Sequence, residues 1–264
     1  MTSRAVGHSG RVRVAFVGKG GAGKSVIAGT FCRLLARTAD RPVVAIDSDP
    51  MPGIAFSLGI PSADTFLPAE IVEEIGEEPD TTWVLRDGLT ATEAVERHTP
   101  EGPDGVRLLQ YGKLRSHVRT SGPSQQAFRV LIDELEHTDW NLVGDLPGGT
   151  RQPFFGWGSF ADVIVVVAEA TPSSMLAARR MTKLAKREDH AGIELVVLAN
   201  KVVDPGDAER LGRFTGLRVI GSVPTDPEVR AAERAGTPLL DVAPDSPAVE
   251  AVGSLLETIL SEAR

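Results

Sequence analysis

The sequence predicts an α/β fold: a doubly wound, mainly parallel sheet of about seven or eight strands with helices on both faces. Three observations carry this. Short apolar runs recur along the chain, at residues 12–17, 43–47, 106–112, 140–145, 162–168 and 193–199. Helical patterns with one apolar side fall between or after them, at residues 26–36, 124–137, 173–186 and from Pro247 onward. Two of the apolar runs end on an aspartate and one runs into a glycine-rich loop, as buried parallel strands do when they lead to a ligand site.

The first run, residues 12–17, leads into Gly18-Lys19-Gly20-Gly21-Ala22-Gly23-Lys24-Ser25, which fits G-x-x-x-x-G-K-[ST] at every fixed position. Glycines let a backbone wrap closely around a polyphosphate, because no side chain blocks the approach or forbids positive φ. The amides that open the following helix point at the anion, and the helix dipole favours negative charge there. The pattern therefore sets Gly20, Gly21, Ala22, Gly23, Lys24, Ser25 and Val26 around a nucleotide. Lys24 reaches the β- and γ-phosphates and Ser25 places its hydroxyl on Mg²⁺. Within that helix lies Cys32, the single cysteine, so no disulfide within the chain and no cysteine cage for a metal can form. Its neighbours Phe31, Leu34 and Leu35 make it a packed core thiol.

An ordinary phosphate loop does not require lysine directly after its first glycine. The run from Lys19 to Ser25 resembles the deviant Walker A loop of the ParA/MinD family of P-loop ATPases, which includes nitrogenase iron-protein-like and CooC-type members. The resemblance implies ATP or ADP with Mg²⁺ as cofactors and a homodimer formed around ATP. In it, Lys19 reaches in trans to the partner subunit's nucleotide and acts with Lys24 in catalysis.

The second run ends on Asp47 and continues Ser48-Asp49-Pro50. Ligand groups in open α/β sheets lie beyond the carboxyl ends of the strands, which brings both aspartates near the phosphates. As residues alone they also suit a turn or a cap. Asp-x-Asp-Pro resembles the family's switch I. That implies that Asp49 positions or deprotonates the attacking water and that Asp47 supports Mg²⁺ through its waters. One departure stands out: relatives usually carry an asparagine a few residues on, where this chain reads Met51-Pro52-Gly53-Ile54. Residues 60–105 say least. They hold helical patches at 68–75 and 92–98 and an acidic run at 73–80 that reads as a solvated face.

Residues 106–112 read as a strand and turn, and the helix at 124–137 gathers Phe128, Leu131, Ile132 and Leu135 on one side. Metal-carrying CooC-type and nitrogenase-type relatives place cysteines between these elements. Here residues 113–119 contain none, and a lone His117 reads as a surface or partner-contacting histidine. The run at 140–145 ends on Asp145 and continues Leu146-Pro147-Gly148-Gly149-Thr150. A strand ending on aspartate is the Walker B arrangement, so Asp145 serves Mg²⁺, through water. The turn resembles the family's switch II, and Gly148 or Gly149 offers an N–H toward the γ-phosphate.

The β-branched run at 162–168 reads as a central strand. The next helix carries Arg179, Arg180, Lys183, Lys186 and Arg187 on one flank, which is either solvated or touches DNA or an acidic partner. The strand at 193–199 leads to Asn200-Lys201, where phosphate-loop relatives contact the base with the asparagine. Reading guanine requires Asn-Lys-x-Asp; this chain has Val203 at that place and Asp204 one residue late, so adenine is favoured. The stretch 219–226 resembles the family's Pro-x-Asp segment, which packs on adenine and its ribose. Asn200, Pro224 and Asp226 are thus the base-site candidates. Asp226 also suits an N-cap before Pro227, and the two roles can coexist. The last helix turns Val249, Val252, Leu255, Leu256 and Ile259 inward and bears Glu250, Glu257 and Glu262 outside, unlike the basic helix of membrane-binding relatives, so no membrane partner is expected.

The chain of 264 residues, 42% hydrophobic and 24% charged, has enough apolar surface for a sizeable core. Residues 1–11 read as a flexible lead and 12–264 as one P-loop ATPase domain. A net charge of −8 opposes a protein whose whole surface grips nucleic acid or anionic lipid. Residues 1–10 show no signal-peptide pattern and no run approaches the ~18 apolar residues of a spanning helix, so a cytoplasmic protein is expected. The first reading is a Mg²⁺-dependent ATPase that dimerises around nucleotide and switches an unidentified client protein, similar to CooC-type maturation ATPases without their metal cysteines. The alternatives are a ParA-like DNA-segregation ATPase and a nucleotide-binding scaffold or regulatory subunit with negligible hydrolysis.

Overall fold

The structure, a computed structural model, describes residues 10–49, 53–61, 67–77, 80–111, 121–148, 158–185 and 192–262. In chain order the elements are β1 (Arg13–Gly18), α1 (Lys24–Thr38), β2 (Val43–Asp47), α2 (Ile54–Leu58), β3 (Val72–Ile75), β4 (Thr82–Leu85), α3 (Ala91–His98), β5 (Arg107–Gln110), α4 (Ser121–Leu135), β6 (Asn141–Asp145), β7 (Val163–Ala168), α5 (Pro172–Ala185), β8 (Glu194–Val202), α6 (Asp207–Thr215), β9 (Arg218–Pro224), α7 (Pro227–Ala235), α8 (Leu239–Val242) and α9 (Pro247–Glu262).

Seven strands form one sheet in the order β5-β2-β6-β1-β7-β8-β9, every neighbouring pair parallel. The order reverses at β1, which lies between β6 and β7. The loop after β1 therefore opens into the crevice where such sheets take ligands. Both faces of the sheet are covered, which is why the strands read as continuous apolar runs. Alternate residues serve opposite layers. Val14, Phe16, Ala45 and Val143 pack with Phe31 and Leu35 of α1 and Val252 and Leu256 of α9. Ala15, Val17, Ile46 and Leu142 pack with Phe128 and Leu131 of α4, Met181 of α5 and Leu211 of α6. Phe16 meets Phe31 edge-on, with ring centroids 5.4 Å apart. Cys32 is buried in the α1 layer, and burial pushes its thiol pKa up.

The expected helical patch at 68–75 takes a different form. A 3₁₀ turn at Ala69–Ile71 leads into β3, which pairs antiparallel with β4 from Val72↔Leu85 to Ile75↔Thr82. Val72, Thr82, Trp83 and Val84 favour extended backbone, and the hairpin lets Ile71 and Val72 reach the layer that holds Phe128. A helix that short would have been marginal by itself. Glu74, Glu77 and Asp80 of the acidic run are exposed. The patch at 92–98 becomes α3, opened by a capping box in which the Glu93 N–H donates to Thr90 Oγ1 and the Thr90 N–H to the Glu93 carboxylate. On α1, the buried Arg33 guanidinium pairs with Asp104 at 2.7 Å and Asp241 at 2.8 Å, joining α1 to the 3₁₀ turn Pro103–Gly105 and to α8. No helix among the described residues is long and apolar enough to cross a membrane.

Candidate nucleotide-binding site

The loop after β1 is shaped by two residues of positive φ, Gly21 at 82° and Gly23 at 89°. The Ala22 N–H donates to the Lys19 carbonyl at 3.0 Å, closing the turn. Gly23 caps α1 and has no side chain with which to accept, and the first turn of α1 contains no acid. The opening amides of α1 thus keep their affinity for an external anion. A Cβ at Gly23 would lie 2.4 Å from Asn200 Nδ2. The approach is that close because Asn200, from β8, donates to the Ala22 carbonyl at 2.6 Å. Lys201 donates to the Gly21 carbonyl at 2.7 Å and pairs with Glu169 at 2.7 Å. Lys19 is exposed and donates to Ser173 Oγ, on α5, at 3.1 Å. Gly148 lies on the loop so closely that a Cβ there would be 3.0 Å from the Gly18 carbonyl and the Gly20 nitrogen.

Beside the loop, the register aligns Asp145, Asp47 and Gln110, the last residues of β6, β2 and β5, in one row with Phe16 of β1. Both aspartates are buried. Burial raises the Asp145 carboxyl above the ordinary carboxylate range, against the pull of Lys24 and Ser25. Lys24 Nζ lies 3.1 Å from Asp145 Oδ1, yet neither oxygen of Asp145 completes a well-formed hydrogen bond. Asp47 is differently engaged. Its Oδ1 accepts from the Asp49 amide at 3.0 Å, and its Oδ2 from Gly53 at 3.0 Å and Ile54 at 3.3 Å. Burial first, and the Asp145 charge second, raise its pKa to about 7, against those three amides. Asp49 is half-buried and close enough for its charge to raise the Asp145 carboxyl. Ser25 Oγ would be 3.1 Å from a Cβ on Gly53. A hydroxyl and a carboxylate with unfilled acceptor positions are hard oxygen donors of the kind Mg²⁺ takes. Among the described residues, no group of three or more His, Cys, Asp or Glu forms a metal site by itself.

At the other end of the loop, a cavity of about 190 Å³ is lined by Val26, Ile27, Asn200, Lys201, Pro224, Asp226 and Val252, among others. Asn200, Pro224 and Asp226, expected near a base, thus share one cavity with Val26, expected near the nucleotide. Both Asp226 oxygens are occupied: Oδ1 accepts from the Glu228 amide at 2.9 Å and Oδ2 from the Ala248 amide at 3.0 Å. Asp226 therefore caps α7 and holds the start of α9. Burial by itself would raise its pKa, but these two amides and the Ser246 hydroxyl outweigh burial and lower it. Val203 is 81% exposed, and Asp204 accepts from the Gly206 amide at 2.7 Å. Neither is among the residues that line the cavity, so the carboxylate that would read guanine is not at hand there.

On the basic flank, the Arg179 guanidinium stacks over the Phe214 ring of α6 at 5.3 Å, while Arg180 and Lys183 are exposed. Lys186 and Arg187, the 113–119 stretch with His117, and Gly149-Thr150 lie outside the described residues. Sequence reasoning passed over Lys201 and Glu169 as site residues; an asparagine–lysine pair ending an apolar run was the available signal.

A parallel sheet whose central strand feeds a glycine loop and an uncapped helix, with acids closing the neighbouring strands, defines a P-loop nucleotide-binding protein. Residues 14–239 match the CobQ/CobB/MinD/ParA nucleotide binding domain, and the chain belongs to that family. By family it is a nucleotide-binding ATPase of the ParA/MinD/CooC kind. It is 28% identical to the carbon monoxide dehydrogenase accessory protein CooC of Rhodospirillum rubrum, over 88% of this chain and 91% of that protein. It is 30% identical to an uncharacterized ATP-binding protein of Methanocaldococcus jannaschii, over 86% of this chain and 91% of the other. In fold it is similar to a ParA family ATPase from Chlorobium tepidum (TM-score 0.70, 17% identity, 96% of this chain and 99% of that one). It is likewise similar in fold to the septum site-determining protein MinD of Pyrococcus horikoshii complexed with Mg-ADP (TM-score 0.67, 19% identity, 93% and 95%).

Proposed function

We propose that this chain binds ATP and ADP with Mg²⁺, hydrolyses ATP, and works as a dimeric switch acting on a partner protein in the cytoplasm. One observation carries the reading: the uncapped amides of α1, with Lys24 paired to a buried Asp145 beside them. Bound phosphates would exchange for Asp145 as the partner of Lys24, freeing the carboxylate. Ser25 and Asp145 would then hold Mg²⁺, Asp145 through water, with Asp47 supporting its water shell from behind. The ion supplies charge neutralisation at the phosphates when bound. Asp49, one residue beyond buried Ser48, would orient the attacking water, and the Gly148 turn would follow the γ-phosphate. Adenine would enter the cavity between Asn200 and Pro224. CooC is named as an accessory protein of an enzyme. By that likeness the switch acts on a client protein rather than on a small substrate.

Calorimetry with Mg-ADP and a phosphate-release assay with Mg-ATP test the reading. Wild type binds and turns over, Lys24→Ala loses binding, and Asp49→Ala binds without turnover. Absence of heat from well-folded wild type with either nucleotide would overturn it. Arg180 and Lys183 leave a basic flank open, so a gel shift with duplex DNA and ATP tests the segregation reading; retarded, salt-sensitive DNA would favour that reading.

A further inference from the structure

We propose that Lys201 is a positioning residue for the phosphate loop: its ammonium, steadied by Glu169, holds the Gly21 carbonyl turned away from the anion, so that the loop amides stay turned toward it. The proposal rests on the nucleotide-binding reading above and adds a residue to it.

The backbone carries the argument. Successive residues of a strand point to opposite faces, so two neighbours cannot ordinarily serve one loop. Asn200 and Lys201 do so. Asn200 donates to the carbonyl of Ala22 at 2.6 Å and Lys201 to that of Gly21 at 2.7 Å. They manage it because the β8–β9 register breaks between Ala199 and Val202, where Lys201 adopts φ +55°. Only one other described non-glycine residue, Asp104, has positive φ. A lysine held in the left-handed region is strained, and such strain persists where the surroundings impose it. The irregularity re-aims one side chain, a common use of bulges beside functional sites.

Glu169 completes the clamp. It follows β7 directly, and its amide donates to Ser174 Oγ at 3.0 Å, tying that corner to α5. Its carboxylate takes Lys201 Nζ at 2.7 Å. The Lys201 side chain is 47% exposed, so the pair contributes little to global stability. Its effect falls on the Gly21 peptide, which glycine's freedom at φ 82° would otherwise let turn over. A carbonyl turned inward would face the phosphates it should avoid.

The test uses the full chain with Lys201→Met, Lys201→Arg, Lys201→Gly and Glu169→Gln. Methionine keeps the stem without the donor; glycine relieves the strained φ and also lacks the donor. Affinity for Mg-ADP is read by calorimetry, thermal midpoint without nucleotide by melting, and amide exchange of residues 19–25 by mass spectrometry. We expect Lys201→Met and Lys201→Gly to weaken Mg-ADP about tenfold, the order of one charge-assisted hydrogen bond. Lys201→Gly should melt no lower than wild type, Lys201→Arg should recover affinity to within about threefold of wild type, and Glu169→Gln should fall between. Exchange in the nucleotide-free loop should speed up several-fold in the methionine and glycine variants. Wild-type affinity in both variants, or a loss matched only by a lowered midpoint, would overturn the proposal. If wild type itself binds no nucleotide, the function proposal fails, and the exchange arm still decides whether Lys201 holds the loop.

Discussion

Replacing Asp226 by alanine separates two roles that the sequence allows to coexist. Its carboxylate accepts from Glu228 N at 2.9 Å and Ala248 N at 3.0 Å, at the starts of α7 and α9, and the residue is 8% exposed. Losing an N-cap carboxylate costs about 1 kcal/mol. Two helix starts are released here, so Asp226→Ala should cost about 2 kcal/mol, and about 3 kcal/mol if water cannot reach the orphaned amides. For a chain of this size each kcal/mol moves the midpoint by about 2–4 °C, which gives a fall of about 4–8 °C. Asparagine keeps one acceptor oxygen and should lose about half as much. The acid limb follows from the lowered folded-state pKa. A carboxylate whose pKa is depressed by folding adds stability that is complete above its unfolded value, about 3.9, and is lost as pH falls through the folded value. The gap between wild type and Asp226→Ala should therefore be constant at neutral pH and close below about pH 4. Thermal melts at pH 7 read the midpoint, urea melts from pH 7 to pH 3 measure the gap, and Mg-ADP calorimetry runs beside them. A midpoint within 1 °C of wild type, or a gap that widens in acid, would refute the capping argument; a loss of Mg-ADP affinity beyond about tenfold with the fold intact would add a base or ribose contact.

Gly23→Ala must move Asn200 Nδ2 away from 2.4 Å and hold alanine at φ 89°; it should destabilise by about 2 kcal/mol and weaken Mg-ADP by more than tenfold, read by urea melts and calorimetry. Asp104→Asn leaves the buried Arg33 guanidinium short of a partner and should cost about 3 kcal/mol in a chemical melt. Arg33→Met removes the charge itself and leaves two acids, 20% and 36% exposed, that water can serve; it should cost less than Asp104→Asn. Lys19→Ala should bind Mg-ADP within about twofold of wild type, because Lys19 is exposed and, among the described residues, its ammonium hydrogen-bonds Ser173 Oγ alone, yet lose the ATP-dependent dimer in light scattering. A normal dimer would refute a role in trans.

Six of the seven strands of the large sheet were legible because burial leaves an apolar run, as in Val163–Ala168, which needs no partner to be recognised; β9, whose burial is interrupted, was not read as a strand. The hairpin of β3 and β4 was not legible either. Its register pairs Glu74 with Trp83 and Ile75 with Thr82, and only packing on α4 makes those residues a strand pair. Helix α6 was also passed over, since charged residues crowd its short amphipathic face, and of α7 only the start was legible, in the cap that Asp226 makes before Pro227. At the site, the glycine loop was readable because its backbone demands residue types: Gly23 is required by φ 89° and by the approach of Asn200. The Asn200-Lys201 pair marked the place, but the tie from Lys201 to the loop was not readable, since it depends on a backbone angle that lysine does not announce.

The two buried aspartates show how far a shared row can divide its labour. Asp47 and Asp145 are register partners; the Asp145 charge raises the cost of charge on Asp47, and that of Asp49 does the same to Asp145. Two adjacent carboxylates persist in such a place only if each has its own compensation. Asp145 has Lys24, a partner that a phosphate can draw away. Asp47 has three backbone amides, of residues 49, 53 and 54, which nothing in a nucleotide can replace. On the proposed function, the acid left open to a cation would therefore be Asp145. Asp47 fixes the backbone at residues 49, 53 and 54 and brings Gly53 against the Ser25 hydroxyl. On the proposed function, its influence on Mg²⁺ would run through the shape of that segment as well as through water, which would tie the second strand to the chemistry at the first.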